Sequence, residues 1–174
     1  SVTTRTLLQL FERAYGLFHP LDTAWRRDDG RYVDPFRPLI RKSGFETAQA
    51  VHAARLIHFE AVRRVFDTCD VLVFTLGLTE AWIRSEDGAV FPVAPGVEAI
   101  PETEGYDFRN ASVDEVVADM RRFLQLLRTV NPKARVVLTL SPVPLIATYA
   151  QRHVLVSTAV SKSILRVAAD MVCR

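Results

Sequence analysis

Two apolar runs separated by an amphipathic stretch constrain the fold of this chain more than any other feature. The run VLVFTL at 71–76 is β-rich and apolar on both faces, which is typical of a parallel-sheet strand covered by helices on each side. The run RVVLTL at 135–140 has the same character, and apolar residues recur at helical spacing over 113–130. The order strand, helix, strand predicts a right-handed βαβ unit with two parallel strands.

The helices of the chain are predicted from capping residues and apolar periodicity. Ser112 and Glu115 form a capping box for the crossover helix, which Asn131-Pro132 ends. Three further helices are predicted over Thr4 to Tyr15, Glu46 to Phe66, with Ser43 and Glu46 as a second capping box, and Ala159 to Val172. Their apolar faces are expected to cover the sheet.

Length and composition predict one globular domain over residues 1–174. With 174 residues, of which 49% are hydrophobic, the chain can bury a substantial core. No internal repeat or interdomain linker is visible, and residues 26–41 are expected to form an ordered polar loop. A stretch rich in Pro and Gly, residues 83–111, is expected to be a loop-rich insertion containing a hairpin, with a turn at Glu86-Asp87-Gly88 and a further proline at Pro101.

Charge, cysteine and histidine patterns exclude several classes of protein. The 22 basic and 20 acidic residues are interspersed, so the basic patch of a nucleic-acid binder is absent. Cys69 and Cys173 are interpreted as buried thiols in a reducing compartment, and the four histidines lack the i, i+4 pairing of a helical metal site. No apolar run is long enough to span a membrane and no signal peptide is seen, which predicts a cytoplasmic protein.

Polar and aromatic residues follow the two strands at the point where each ends. Gly77, Thr79 and Glu80 follow the first strand, and Ser141 follows the second. Because the carboxyl ends of parallel strands meet at one edge of the sheet, where ligands bind in doubly wound folds, these residues are expected to lie together. Trp82 and Tyr106 are expected to provide apolar walls for a ligand, with Ser141 as a further substrate-binding residue.

Two interpretations of this edge remain open from the sequence. In the functional one, Gly77 lets a ligand approach the backbone, its neighbouring N–H groups donate to an oxyanion, and Glu80 acts as an acid, a base or an orienting acceptor. In the structural one, Gly77 permits a turn, Thr79 caps a short helix and Glu80 stabilises the first turn of that helix.

Other nucleophile and cofactor motifs are weak or missing. Ser141 lacks the Gly-x-Ser-x-Gly elbow of hydrolases, and a serine before proline is common in turns. Ser161-Lys162-Ser163, in or before the last helix, is better explained as a solvated cap than as a Ser/Lys dyad. No Gly-x-Gly-x-x-Gly motif or P-loop follows either strand, so no nucleotide cofactor is predicted.

Five blocks in order along the chain resemble one family. They are FTLGLTEAW at 74–82, PVAPG at 92–96, YDFRNAS at 106–112, VNPKARVVLTLSPVPLIAT at 130–148 and SKSILR at 161–166. Together they resemble the GSCFA family, whose members are bacterial and are similar to SGNH hydrolases. The resemblance implies a three-layer α/β/α fold with a flavodoxin-like parallel sheet, of which this chain is expected to carry the middle part.

The same resemblance implies ester chemistry on an acylated glycan, lipid or small molecule, without a cofactor. Gly77 and Thr79 occupy the place of the oxyanion donors, beside Glu80, while the nucleophilic serine of the Gly-Ser-Cys-Phe-Ala motif is expected ahead of residue 1. An Asp-x-x-His block is not found within the chain, so its own catalytic activity is left open. The alternatives are polysaccharide O-acetylation from acetyl-coenzyme A and a non-catalytic binding domain, and self-association through exposed sheet faces is expected in either case.

Overall fold

The computed structural model describes residues 2–99 and 104–174 and has an α/β architecture. Its helices are α1 (Thr4–Ala14), α2 (Ala48–Thr68), α3 (Val113–Val130) and α4 (Val154–Cys173). Its strands are β1 (Trp25–Arg26), β2 (Tyr32–Val33), β3 (Val71–Leu76), β4 (Glu80–Arg84), β5 (Val90–Phe91), β6 (Tyr106–Asn110) and β7 (Arg135–Leu140). Pro101, which belongs to the predicted loop-rich insertion, lies outside the described residues.

The predicted βαβ unit is confirmed. Strands β3 and β7 pair in parallel without a register break, from Val71 opposite Arg135 to Leu76 opposite Leu140. Helix α3 connects them and starts with the expected capping box, in which the Ser112 hydroxyl accepts from the Glu115 N–H and the Glu115 carboxylate accepts from the Ser112 N–H. Local capping and apolar periodicity therefore fix the two strands and the crossover between them.

The β3–β7 pair is covered by helices on one face. Side chains of Leu72, Phe74 and Leu76 point into a core with α1, α3 and α4, in which Phe123 is completely buried. On the opposite face Val71, Val73 and Val137 remain 41%, 60% and 45% exposed. The alternation of buried and exposed residues along β3 corresponds to a three-layer α/β/α fold that is incomplete within the described residues.

Five helix boundaries differ from the sequence prediction, of which the carboxyl ends of α2 and α4 move by only one or two residues, to Thr68 and Cys173. Helix α2 begins after Thr47, whose hydroxyl accepts from the Ala50 N–H at 3.1 Å, so the predicted Ser43/Glu46 capping box is wrong. The Ser43 hydroxyl instead accepts from the Arg41 side chain in the preceding turn. Helix α4 begins at Val154, five residues before the predicted Ala159. The sequence pattern did not indicate this first turn, because its apolar residues Leu155 and Val156 are exposed and interrupt the amphipathic repeat. Helix α1 ends at Ala14, one residue early.

The insertion between β3 and α3 contains the expected hairpin. Strands β4, β5 and β6 form an antiparallel sheet with β4 in the centre. A second core cluster connects this sheet to the β1–β2 hairpin. Residues 26–41 pack against this cluster and form an ordered segment, as the sequence predicts. The buried residues of the cluster are Trp25, Val33, Phe36, Ala89, Phe91 and Ala99. The division into one domain with an insertion at 83–111 stays a prediction.

Candidate functional site

The carboxyl ends of β3 and β7 lie side by side, as the sequence predicts. Leu76 and Leu140 are the last paired residues, and the Ser141 N–H donates to the Leu76 carbonyl at 3.0 Å. Gly77 and Ser141 therefore leave the sheet at adjacent positions on one edge. The Ser141 hydroxyl accepts from the Val143 N–H at 3.2 Å, so its side chain stabilises the turn that follows β7.

Gly77 is a point of close backbone approach. A Cβ atom at this position would lie 2.9 Å from the Val2 carbonyl oxygen, and the Gly77 φ is not in the left-handed region. Glycine is therefore needed at this position because a side chain would clash with the Val2 carbonyl oxygen, and not because of an unusual backbone angle. The Gly77 carbonyl accepts from the Lys162 ammonium at 2.6 Å, and burial lowers the pKa of that lysine. The group that approaches Gly77 here is the backbone of residue 2, in the place where the sequence predicts a ligand.

Both hydrogen-bond donors of Thr79 are already used by the protein. Its N–H donates to the Ser161 hydroxyl at 3.0 Å, and its own hydroxyl donates to the Asn110 side-chain oxygen at 2.6 Å. Thr79 is 2% exposed, and strand β4 begins at the next residue. The predicted short helix capped by Thr79 is therefore wrong, and in this arrangement Thr79 has no donor left for an oxyanion.

Glu80 is a buried carboxylate that no cation pairs with among the described residues. It is the first residue of β4, is 6% exposed, and accepts from the Thr148 hydroxyl at 2.6 Å. The Thr148 hydroxyl accepts in turn from the Ser157 hydroxyl at 3.1 Å, and Ser157 accepts from the Arg152 Nε at 3.0 Å. This chain of donors holds the carboxylate in one position.

An apolar groove of about 610 Å³ opens beside Glu80, and we call it the aromatic groove. Trp82 and Phe108 face each other across β4 and β6, and Tyr149 packs edge-on against the indole with ring centroids 5.0 Å apart. The indole N–H of Trp82 is buried and has no hydrogen-bond partner in residues 2–99 and 104–174. The described lining residues are Leu78, Glu80, Ala81, Trp82, Phe91, Pro92, Val93, Ala94, Val97, Phe108, Pro144, Leu145, Ile146, Ala147 and Tyr149.

Tyr106 lies at the far end of the same sheet face, away from the aromatic groove. It pairs with Arg84 in the β4–β6 ladder, contacts Trp25 and Phe91 edge-on, and donates from its hydroxyl to Asp22. Asp22 also forms a buried ion pair with Arg84 at 2.6 Å. The predicted pair of walls is therefore divided: Trp82 lines the groove, and Tyr106 packs in the second core.

The sequence did not identify the residues that hold Glu80 and Thr79 in place. Ser157 and Ser161 are completely buried and share one face of α4 with Leu165 and Ala168. Ser161-Lys162-Ser163 lies in the middle of α4, so its interpretation as a cap is wrong. Two serines on the apolar face of a helix were the available signal, because a buried hydroxyl requires a hydrogen-bond partner.

The described part of the chain also gives information on metal sites, on membrane-spanning helices and on the state of the two cysteines. Within residues 2–99 and 104–174, no group of His, Cys, Asp and Glu is arranged to hold a metal ion. None of the helices there combines the length and apolarity that crossing a bilayer requires. Cys69 is half-buried and Cys173 is exposed, both as free thiols, so the prediction of two buried thiols is wrong.

The fold and the edge site together define an α/β protein with a polar and aromatic cleft at the carboxyl ends of parallel strands. The sequence model of the GSCFA family matches residues 2–174, and the chain belongs to this family. No curated protein and no solved structure matches the chain.

Proposed function

We propose that the chain forms the substrate-binding part of an ester-processing site, with the aromatic groove holding the apolar part of an acylated glycan, lipid or small molecule. One observation carries this proposal: the groove opens at the carboxyl edge of the β3–β7 pair, and Glu80 is the single charged residue among its described lining residues. Clefts with this position and this composition bind small molecules in α/β proteins.

The roles in such a site follow from the chemistry of ester cleavage. A nucleophile attacks the ester carbonyl, a base takes the proton of the nucleophile, and donors stabilise the oxyanion. In this proposal the nucleophilic serine lies ahead of residue 1, as the family resemblance implies. Glu80, fixed by Thr148, accepts a hydrogen bond from a hydroxyl or water next to the reacting ester. The backbone at Gly77 stays a proposed oxyanion donor, while Thr79 and Ser141 have supporting roles.

Ligand binding in the groove is testable by fluorescence, because the chain has two tryptophans in different environments. Trp25→Phe leaves Trp82 as the only tryptophan, and we expect a saturable fluorescence change on titration with phenyl hexanoate, an apolar ester. Trp82→Phe is the matched control, since the remaining Trp25 is 1% exposed in the second core. A change of equal size in both variants would contradict binding in the aromatic groove.

The chemical role of Glu80 is testable in a protein that includes the Gly-Ser-Cys-Phe-Ala motif ahead of residue 1. There, Glu80→Gln is expected to lower p-nitrophenyl acetate hydrolysis by roughly 10²–10⁴-fold. The cost in stability is expected to be about 1 kcal/mol, because glutamine can still accept from Thr148. The 174-residue chain alone is expected to show no hydrolysis above background. Full activity of the variant would limit Glu80 to a structural role.

A non-catalytic binding domain is the second candidate function. It is favoured by the hydrogen bonding of the serines at the edge, since neither Ser141 nor Ser161 contacts a histidine within the described residues. The residues encoded ahead of residue 1 discriminate between the candidates: a Gly-Ser-Cys-Phe-Ala motif favours the enzyme, and its absence favours the binding domain. Acetyl transfer from coenzyme A has less support, because no lysine or arginine is among the described groove residues to bind the donor phosphates.

A cytoplasmic location remains part of the proposal. It is supported by the two free thiols, Cys69 and Cys173, since an oxidising compartment favours disulfides. Export of the protein with its signal sequence processed, seen by cell fractionation, would contradict it.

A further inference from the structure

Three arginines from different segments converge on a second cavity, which adjoins the aromatic groove at Pro92. They are Arg13 on α1, Arg37 in the loop after β2, and Arg55 on α2. Arg55 and Arg37 pair with the carboxylate of Asp34 at 2.8 and 3.1 Å, and Asp34 is 1% exposed. The Arg13 guanidinium stacks 3.8 Å from the centre of the Phe36 ring. We call this region the arginine cavity.

The charges in the arginine cavity do not balance. Asp34 is the one carboxylate among the described lining residues, against three guanidinium groups, so the lining carries an excess of two positive charges. Burial lowers the pKa of Arg13 to about 10 against the attraction of Asp34, and repulsion from Arg55 and Arg37 adds to this effect. At that pKa Arg13 is still charged at neutral pH. Three guanidinium groups that share one carboxylate repel one another, and an added anion relieves this repulsion.

Two of the arginines also have unused hydrogen-bond donors. Arg55 is 6% exposed, and its buried Nε has no hydrogen-bond partner. Arg13 donates from its Nε to the Gln9 carbonyl, and its two terminal nitrogens donate to no acceptor in the described part of the chain. A buried donor without a partner, such as the Arg55 Nε, is uncommon in native structures. Both arginines line the same cavity, and the terminal nitrogens of Arg13 are the donors there that remain open to a ligand.

The remaining walls of the arginine cavity are apolar. Its volume is about 340 Å³, and its apolar lining residues include Val2, Leu7, Leu10, Phe36, Phe59 and Phe74. His58 adds no charge at neutral pH, because burial and the nearby Arg37 lower its pKa. A ligand that matches these walls combines an anionic group with a compact apolar body.

We propose that the arginine cavity binds a phosphate monoester that carries a small apolar group. A phosphate monoester has a charge close to −2 at neutral pH, which equals the excess of guanidinium groups over Asp34. Its oxygens accept from the terminal nitrogens of Arg13, whose planar group suits bidentate contacts with phosphate, and the charges of Arg37 and Arg55 add to the attraction. The apolar group packs against Phe59 and Phe74. The two cavities share Pro92 in their walls, but the charged residues of this site are not those of the proposed ester site, and the proposal does not depend on that site.

The test is isothermal titration calorimetry of the 174-residue chain at an ionic strength of about 0.15 M. The probes are phenyl phosphate, inorganic phosphate, benzoate and benzyl alcohol. Phenyl phosphate is expected to bind at least tenfold more tightly than each of the others. Equal affinity for inorganic phosphate would overturn the proposed role of the apolar group. Equal affinity for benzoate, which carries one negative charge, would overturn the proposed preference for a doubly charged ligand. No binding of phenyl phosphate would overturn the proposal as a whole.

Two variants of Arg13 and one control variant test where phenyl phosphate binds. Arg13→Ala is expected to weaken phenyl phosphate binding at least tenfold, and Arg13→Lys, which keeps the charge and loses the planar fork, several-fold. Arg166→Ala, an exposed arginine on α4 with no described partner, removes the same charge and is expected to leave the affinity unchanged. If Arg13→Ala does not fold, Arg13→Lys replaces it. Unchanged affinity in the folded Arg13 variant would place the anion elsewhere and refute the site.

Discussion

The hydrogen bond between Thr148 and Glu80 offers the sharpest test of how the candidate site is held together. Thr148→Val replaces the hydroxyl with a methyl group of similar size and removes the only donor that the described residues supply to the Glu80 carboxylate, which is 6% exposed. Loss of a hydrogen bond to a buried charged group costs about 1.5–3 kcal/mol. The same change leaves the Ser157 hydroxyl and the Ala150 N–H without their acceptor, which brings the expected loss to about 2–4 kcal/mol.

The assay is urea unfolding of the variant and the parent protein, supported by thermal unfolding. A loss of this size lowers Tm by roughly 2–4 °C per kcal/mol in a domain of this length. Glu80→Gln is expected to cost about 1 kcal/mol, and the double variant less than the sum, because both changes affect one hydrogen bond. Thr139→Val is the matched control, since its hydroxyl contacts only Thr75 on an exposed face, and its expected effect is within about 0.5 kcal/mol. A loss under about 0.5 kcal/mol for Thr148→Val, or full additivity in the double variant, would refute this account.

Three other predictions concern the stability and the self-association of the chain. Gly77→Ala is expected to lower the free energy of unfolding by about 1–3 kcal/mol in urea, because its Cβ would lie 2.9 Å from the Val2 carbonyl oxygen. An unchanged urea midpoint would show that the backbone at residue 2 moves away without a cost. Asn131→Ala is expected to cost about 2–3 kcal/mol in the same assay, because the Asn131 amide donates to two carbonyls at the end of α2, and a loss under about 1 kcal/mol would contradict that role. The chain is expected to self-associate through its exposed valines, so Val73→Lys with Val137→Glu should lower the apparent mass in sedimentation; an unchanged mass, or a monomeric parent, would rule out this surface.

The βαβ unit was predictable because its signals are local. The capping box at Ser112 and the apolar repeat of α3 each involve neighbours in the sequence, and the parallel pairing then places Gly77 beside Ser141. The start of β4 was not predictable in this way. A Thr-Glu pair after glycine suits a helix start as well as a strand, and pairing of Glu80 with Asn110 on a distant strand decides between them.

The partners of the site residues were unpredictable for a related reason. Thr148, which fixes Glu80, is 68 positions further along the chain and lies in a loop without periodicity. Thr79 and Ser161 are 82 positions apart. Hydrogen bonds of this kind depend on the tertiary packing of α4 against the sheet, and residue types alone do not encode which hydroxyl meets which acceptor.

The parallel pairing of β3 and β7 has a consequence for the order in which this protein folds. Thr75 and Thr139 are cross-strand neighbours 64 positions apart, and α3 together with the small antiparallel sheet lies between them. Closing that interval costs chain entropy that helix α3 alone does not return, so we expect the pair to form late, after the local elements. On this expectation, Gly77, Glu80 and Ser141 come together in the same step that completes the fold. An intermediate without the β3–β7 ladder is then expected to lack the site even when its helices are formed.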